Sequence, residues 1–237
     1  MDNQQKVMDS KSGFPQFMAS IYAWMAGGIL LSALMVYLLL YTYTPIANAF
    51  WNLMTATNGM AFYGFIILEL VLVFSFRFNP EKVKSPANYA VKFILYSIVN
   101  GMTLTLVLLA YTTASILNAF VSTFALFAVM SLIGFVTKKD LSSLGGILMS
   151  MLLGLIIASL VNLFFLQSTA ADFILSIITV LIFVGLTAYD TQKCKKVYSY
   201  YGGTALASSV AIGCSLELYL DFINIFLAIL RIFGKRR

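Results

Sequence analysis

Continuous apolar runs dominate this chain, and short polar or charged clusters divide them. Seven runs stand out, at residues 18–41, 57–76, 89–110, 115–136, 144–166, 171–190 and 206–230. The fifth and sixth are parted only by the polar break Gln167–Asp172. Runs of about 20 apolar residues match the hydrocarbon thickness of a bilayer. They cross it only as helices, because lipid offers backbone N–H and C=O groups no partner. The pattern predicts an all-α integral membrane protein with seven transmembrane helices. Its parts are an N-terminal tail at 1–17, one membrane domain at 18–234 and a short basic tail at 235–237.

Composition agrees. Of 237 residues, 61% are apolar and 10% charged, and the mean hydropathy is +0.93. A soluble domain carries roughly a quarter charged residues. Seven spans use about 140 residues, which leaves short loops and no room for a soluble domain. Histidine is absent. That excludes Ser-His-Asp and Cys-His catalysis, histidine metal sites and a histidine pH sensor.

The net charge of +6 lies where a membrane protein puts it rather than on a nucleic-acid face. Lys138 and Lys139, then Lys193, Lys195 and Lys196, then Lys235, Arg236 and Arg237 each adjoin an apolar run. Residues 1–17, 77–88, 137–143 and 191–205 hold most of the Lys and Arg, whereas 42–56 and 111–114 hold no charge. The positive-inside rule therefore predicts a multi-pass protein of the plasma membrane with a cytoplasmic N-terminus. An odd number of spans places Lys235–Arg237 outside, against that trend. A re-entrant last segment would return the tail, but 206–230 is long enough to cross. The first run follows Lys6 and Lys11, is too long for a signal-peptide core and has no Ala-x-Ala site after it. It reads as a retained span. Cys194 and Cys214 lie in or beside one predicted cytoplasmic loop and read as reduced thiols without metal-ligand spacing. Tyr41, Tyr43, Trp51 and Tyr63 bracket the first outer loop as an aromatic belt. Gly146, Ser150, Gly154 and Ala158 form a small-residue stripe suited to close helix packing.

The candidate chemistry lies in acids at membrane depth. Asp2, Asp9, Glu81, Asp140 and Asp172 sit in tails, loops or a helix entrance, whereas Glu69, Asp190, Glu217 and Asp221 fall in or at the edges of spans. An acid near a span centre costs about 2.5–3.5 kcal/mol on insertion scales and marks an ion path, proton relay or active site. Cys214, Glu217, Asp221, Asn224, Ala228 and Arg231 follow at spacings of three and four, which puts them on one helical face lining a cavity. Asp190 ends the sixth run, with Thr187 one turn before it; alone, an interfacial pair with Lys193 accounts for it equally well. Glu69 lies about two turns before Arg77, and pairing with Arg77 or Arg231 as a folding contact is the plain alternative to a cavity acid. Asn100, Thr103 and Asn162 read as interhelical hydrogen bonds, and Arg231 as a snorkelling side chain.

The segments AYDTQK (188–193), LYLDFINIFLAILRIFG (218–234) and FVTKKDLSSLGG (135–146) resemble the Bax inhibitor-1 (transmembrane Bax inhibitor motif) family. The resemblance extends over nearly the whole chain, and the short tails resemble bacterial members. It implies six helices around a central seventh and a pH-sensitive calcium leak. It also implies that an aspartate pair between helices six and seven, here Asp190 and Asp221, is the pH sensor, and the chemistry of such a pair makes it gate and transient calcium ligand as well. The family's second-helix acid corresponds to Glu69. Arg77 lies near an arginine that latches the closed state in some members, at a different spacing. Glu217 takes no role from the family and is a further cavity acid. Independently, two carboxyls close together in a low-dielectric site share a proton and titrate as a pair. Their oxygens are hard ligands of the kind calcium prefers. Calcium is then the permeant ion and protons the modulator. No resident cofactor and no nucleic acid are expected.

Three rivals remain. Intramembrane aspartyl proteases match Tyr189-Asp190, but Leu218-Tyr219-Leu220 precedes Asp221 where they carry Gly-x-Gly, and no Pro-Ala-Leu follows. The expectation is therefore not an enzyme. A non-transporting regulator of a membrane-bound protease or other membrane partner leaves little trace in sequence. A proton-coupled transporter predicts inverted repeats with broken helices, and none stands out.

Overall fold

The computed structural model describes residues 2–76 and 85–237, with side chains from residue 13 in the first stretch, so Arg77 lies outside the described residues. The described helices are α1 (Asp2–Tyr41), α2 (Pro45–Ala56), α3 (Ala61–Ser75), α4 (Pro86–Leu108), α5 (Thr113–Val136), α6 (Ser142–Val161), α7 (Thr169–Tyr201) and α8 (Ala207–Phe233). A π-helical turn, Asn162–Leu166, extends α6. No strand forms among the described residues; a lone antiparallel bridge joins Tyr111 and Arg236.

Among the described residues, five segments are long and apolar enough to cross a membrane: Gly13–Tyr41, Pro86–Leu108, Thr113–Val136, Ser142–Leu166 and Thr169–Tyr201. The pair α2 and α3, bent by 112°, makes up to six if it counts as one span. Helix α8 carries Glu217, Asp221 and Arg231 and is not among them. The chain is a multi-pass membrane protein. All seven predicted runs are helical, but three boundaries differ. Residues 42–56 contain α2, because Thr44 caps it by accepting from the Ala47 N–H and Pro45 starts it at a position where no N–H is needed. Helix α3 is correspondingly short. Helix α7 continues through the basic stretch expected as a loop, to Tyr201.

Two compact groups divide the chain, Met1–Ala110 with Tyr201–Leu216, and Tyr111–Tyr200 with Glu217–Arg237. In the first, α1 and α4 approach closely. Ser32 Oγ donates to the Ser97 carbonyl at 2.7 Å, and a methyl on Gly101 would lie 2.8 Å from the Ser32 carbonyl oxygen. Ser215 Oγ, near the start of α8, donates to the Ile21 carbonyl at 2.9 Å. Such short-side-chain contacts are how helices pack where lipid removes the hydrophobic drive. Helix α2 folds against α1 through Met35, Leu39, Ala47, Phe50 and Met54, and Trp51 Nε1 donates to the Leu39 carbonyl at 2.9 Å.

In the second group, α7 lies tightly against α5 and α6. A methyl on Gly134 would collide with the Ala188 carbonyl oxygen, and one on Gly145 with the Tyr189 ring. The small-residue stripe expected to pack does not: Gly146, Ser150, Gly154 and Ala158 are exposed, and nothing lies within 4 Å of a methyl on either glycine. Phe222 of α8 meets Phe120 and Phe127 edge-on at 5.5 and 5.8 Å. The two ends of α5 meet different parts of the chain. At its C-terminal end, Lys195 Nζ donates to the Phe135 carbonyl at 2.9 Å. At its N-terminal end, the Thr112 N–H donates to the Lys235 carbonyl at 3.1 Å and the Lys235 N–H to Ser115 Oγ at 2.9 Å. The C-terminal residues thus lie at the opposite end of α5 from the Lys195 cluster.

Candidate functional site

Helices α7 and α8 bring Asp190, Glu217, Asp221 and Lys193 together. Asp190 is held in place by its neighbours. Ala188 and Tyr189 fit against Gly134 and Gly145, and Thr191 shares a 3.1 Å hydrogen bond with Ser131. Gln192 Nε2 donates to the Lys139 carbonyl at 2.8 Å while its Oε1 accepts from the Leu141 N–H at 2.9 Å. This stretch is therefore bonded to α5 and to the α5–α6 loop, and the Asp190 backbone has little freedom to shift alone. Asp221 lies on α8 one turn after Glu217. Helix α8 is buried over most of its circumference, with Leu218, Tyr219, Phe222 and Ile225 each at most 2% exposed, while Gly213, Glu217, Leu220, Asn224 and Leu227 form one partly exposed stripe.

Asp190 is 6% exposed and Asp221 3%. The charges of Asp190 and Glu217 act directly on Asp221, and Glu217 also acts on Asp190. Thr187, one turn before Asp190, hydrogen-bonds Asp221. Asp221 Oδ2 and Glu217 Oε2 are buried without a hydrogen-bond partner among the described residues. Lys193 Nζ donates to Glu217 Oε1 at 2.5 Å and lies 3.9 Å from Asp190 Oδ1. One ammonium therefore faces three carboxyls and is committed to the one that is not an aspartate. If all three ionise, two negative charges remain uncompensated in a low-dielectric site, so a proton or a cation must be taken up.

Glu69, half-buried on α3, accepts from Asn100 Nδ2 at 3.4 Å and from the Thr103 hydroxyl. It forms no ion pair among the described residues; neutral donors serve it instead. Asn100 and Thr103 are interhelical hydrogen-bonders as the sequence predicts, and their common partner is this acid. Arg77, the proposed latch, lies outside the described residues. Cys194 and Cys214 are buried and form no disulfide among the described residues. Sequence reasoning missed Gln192 and Thr191, whose roles depend on the α5–α6 loop and on Ser131, distant in the chain.

A family model described as Inhibitor of apoptosis-promoting Bax1 matches residues 15–237. The inner membrane protein YbhL of Escherichia coli (strain K12) is 40% identical over 233 residues, 98% of this chain and 96% of that protein. A membrane protein of Streptococcus pyogenes serotype M1 is 40% identical over 228 residues, 95% of each chain. A protein of Borreliella burgdorferi is 39% identical over 223 residues, 94% of this chain and 93% of that one. With the buried acids of α7 and α8 in place and this similarity running end to end, the chain belongs to the Bax inhibitor-1 family.

Proposed function

We propose that this protein is a channel rather than an enzyme: a pH-sensitive calcium leak of the plasma membrane. Asp190 and Asp221 form its proton-sharing sensor and gate, and calcium and protons are its ligands. The observation that carries this reading is Asp221. It is buried, one of its oxygens lacks a partner among the described residues, it lies within electrostatic reach of Asp190, and the neighbouring ammonium is engaged elsewhere. With one proton between them the two carboxyls attract, and α7 and α8 hold together. When that proton leaves, two anions repel in a medium that screens them poorly. The helices separate at that contact, and the bared oxygens offer calcium hard ligands. Glu217 stays outside the pair because Lys193 neutralises it, and Glu69 is a further cavity acid.

The membrane arrangement that goes with this reading has seven crossings, a cytoplasmic N-terminus and α8 as the central helix. The burial of Leu218, Tyr219, Phe222 and Ile225 supports the central place of α8. The contact of Lys235 with the start of α5 supports a complete seventh crossing over a re-entrant one. The test is calcium entry into liposomes holding the purified protein, at acidic and alkaline pH, beside protein-free liposomes. Protein-dependent entry that varies with pH is the expected result. Entry no faster than in empty liposomes at every pH overturns the leak and leaves the regulator of a membrane-bound protease as the reading to pursue.

A further inference from the structure

A second site lies at the other end of α7. The spans Ser142–Leu166 and Thr169–Tyr201 are joined by Gln167 and Ser168 alone, so this turn sits at a membrane face, at headgroup level. Beside it opens a cavity of about 820 Å³, lined among others by Asn162, Gln167, Asp172, Thr179, Arg231 and Arg236. Two arginines and one aspartate are among its lining residues, and none of the three forms an ion pair with a described residue.

The acid is held by a built frame. Asn162, 3% exposed, donates from Nδ2 to Asp172 Oδ1 at 2.6 Å and to the Ser168 carbonyl at 3.3 Å, while its Oδ1 accepts from the Ser168 N–H at 3.1 Å. The frame is made by the π-helical turn and closed by Gln167 in the left-handed region, φ 47° and ψ 35°. Both features are uncommon and gather at functional sites. Arg236 is fixed from the other side by its backbone bridge to Tyr111. Snorkelling alone would account for Arg231, but it needs neither the enclosed volume nor the framed acid. Of its lining, Leu163 and Phe173 are exposed, and so are the adjoining residues Phe164, Phe165 and Leu166, Phe165 to 81%.

From this geometry we propose that the cavity binds a phosphate–ammonium zwitterion, the headgroup chemistry of phosphatidylethanolamine. Guanidinium groups pair with phosphate oxygens through directed, charge-assisted hydrogen bonds. Asp172, its Oδ1 held by Asn162, accepts from the primary ammonium. The exposed apolar rim carries the acyl chains. A choline headgroup has no N–H to give Asp172, and a glycerol headgroup has no cation, so the site discriminates among lipids.

The experiment is native mass spectrometry of the full-length protein in detergent, stripped of lipid and titrated with phosphatidylethanolamine, phosphatidylcholine or phosphatidylglycerol. The wild type should bind phosphatidylethanolamine about tenfold more tightly than phosphatidylcholine. Arg231→Gln, and independently Arg236→Gln in the exposed tail, should weaken phosphatidylethanolamine and phosphatidylglycerol alike. Asp172→Asn keeps the oxygen that Asn162 needs and should erase only the preference for ethanolamine over choline. Free O-phosphoethanolamine distinguishes the sources of the ligand: competition at equal concentration assigns the site to a soluble zwitterion, and its failure assigns it to the lipid. Equal affinity of the wild type for the ethanolamine and choline lipids, or unchanged binding in both arginine variants, overturns the proposal. The site is independent of the leak, so either stands if the other fails.

Discussion

Lys193 chooses between two acids, and the distances of 2.5 Å to Glu217 and 3.9 Å to Asp190 show which it serves. Both partners of the shorter pair are more than a third exposed along their side chains, so solvent screens it. A double-mutant cycle with Lys193→Met and Glu217→Leu, read by thermal unfolding in detergent, should give a coupling of no more than about 1 kcal/mol. A coupling of several kcal/mol would make the pair a structural element rather than a local neutraliser. Asp140 provides the contrast, because Lys196 holds its exposed carboxyl below the usual carboxylate range. A depressed folded value contributes stability above the unfolded pKa and loses it only as pH falls through the folded one. Asp140 therefore stays ionised from about pH 5 to 9, and Asp140→Asn should leave the pH profile of calcium entry unchanged. A displaced profile would put the sensor in the loop. The sequence made the acids of α8 legible because spacings of three and four define a face. Which acid Lys193 neutralises was not legible, since Glu217 lies on a different helix.

Among the elements, α7 is the one whose position matters most, and glycines set it. Gly134→Ala drives a methyl toward the Ala188 carbonyl, a backbone atom that cannot rotate away. The substitution should cost about 1–3 kcal/mol and lower the unfolding temperature. Gly154→Ala enters open space and should shift stability by no more than about 0.5 kcal/mol. Equal effects of the two would contradict the packing described. Periodicity pointed to the wrong glycines here: the stripe from Gly146 to Ala158 has a regular spacing yet faces outward. Gly134 and Gly145 carry no repeat that marks them. Helix α2 was in principle legible from Thr44-Pro45 and from Ala47, Phe50 and Met54 at helical spacing. The uncharged stretch around it favoured a loop instead. The helical continuation of α7 through Lys193–Lys196 was hidden because charge there served equally as a juxtamembrane loop signal.

For the whole molecule, the claim is seven crossings with the two termini on opposite faces. Single cysteines in a background lacking Cys194 and Cys214 test it with a membrane-impermeant maleimide on intact cells. Tyr43→Cys, at a residue 96% exposed, and Lys235→Cys should label. Thr204→Cys should label only after permeabilisation. Protection of Lys235→Cys would mean that α8 turns back. The family could be read from the chain alone, whereas the return of the C-terminal residues to the start of α5 required the fold. The central claim is narrower and concerns the aspartate pair. Its most direct test is the pH profile of calcium entry into liposomes for the wild type beside Asp190→Asn and Asp221→Asn, each verified as monodisperse. Both substitutions keep the side-chain shape and remove the shared proton, so both should give entry that no longer varies with pH. A wild-type pH response in either variant would contradict the account.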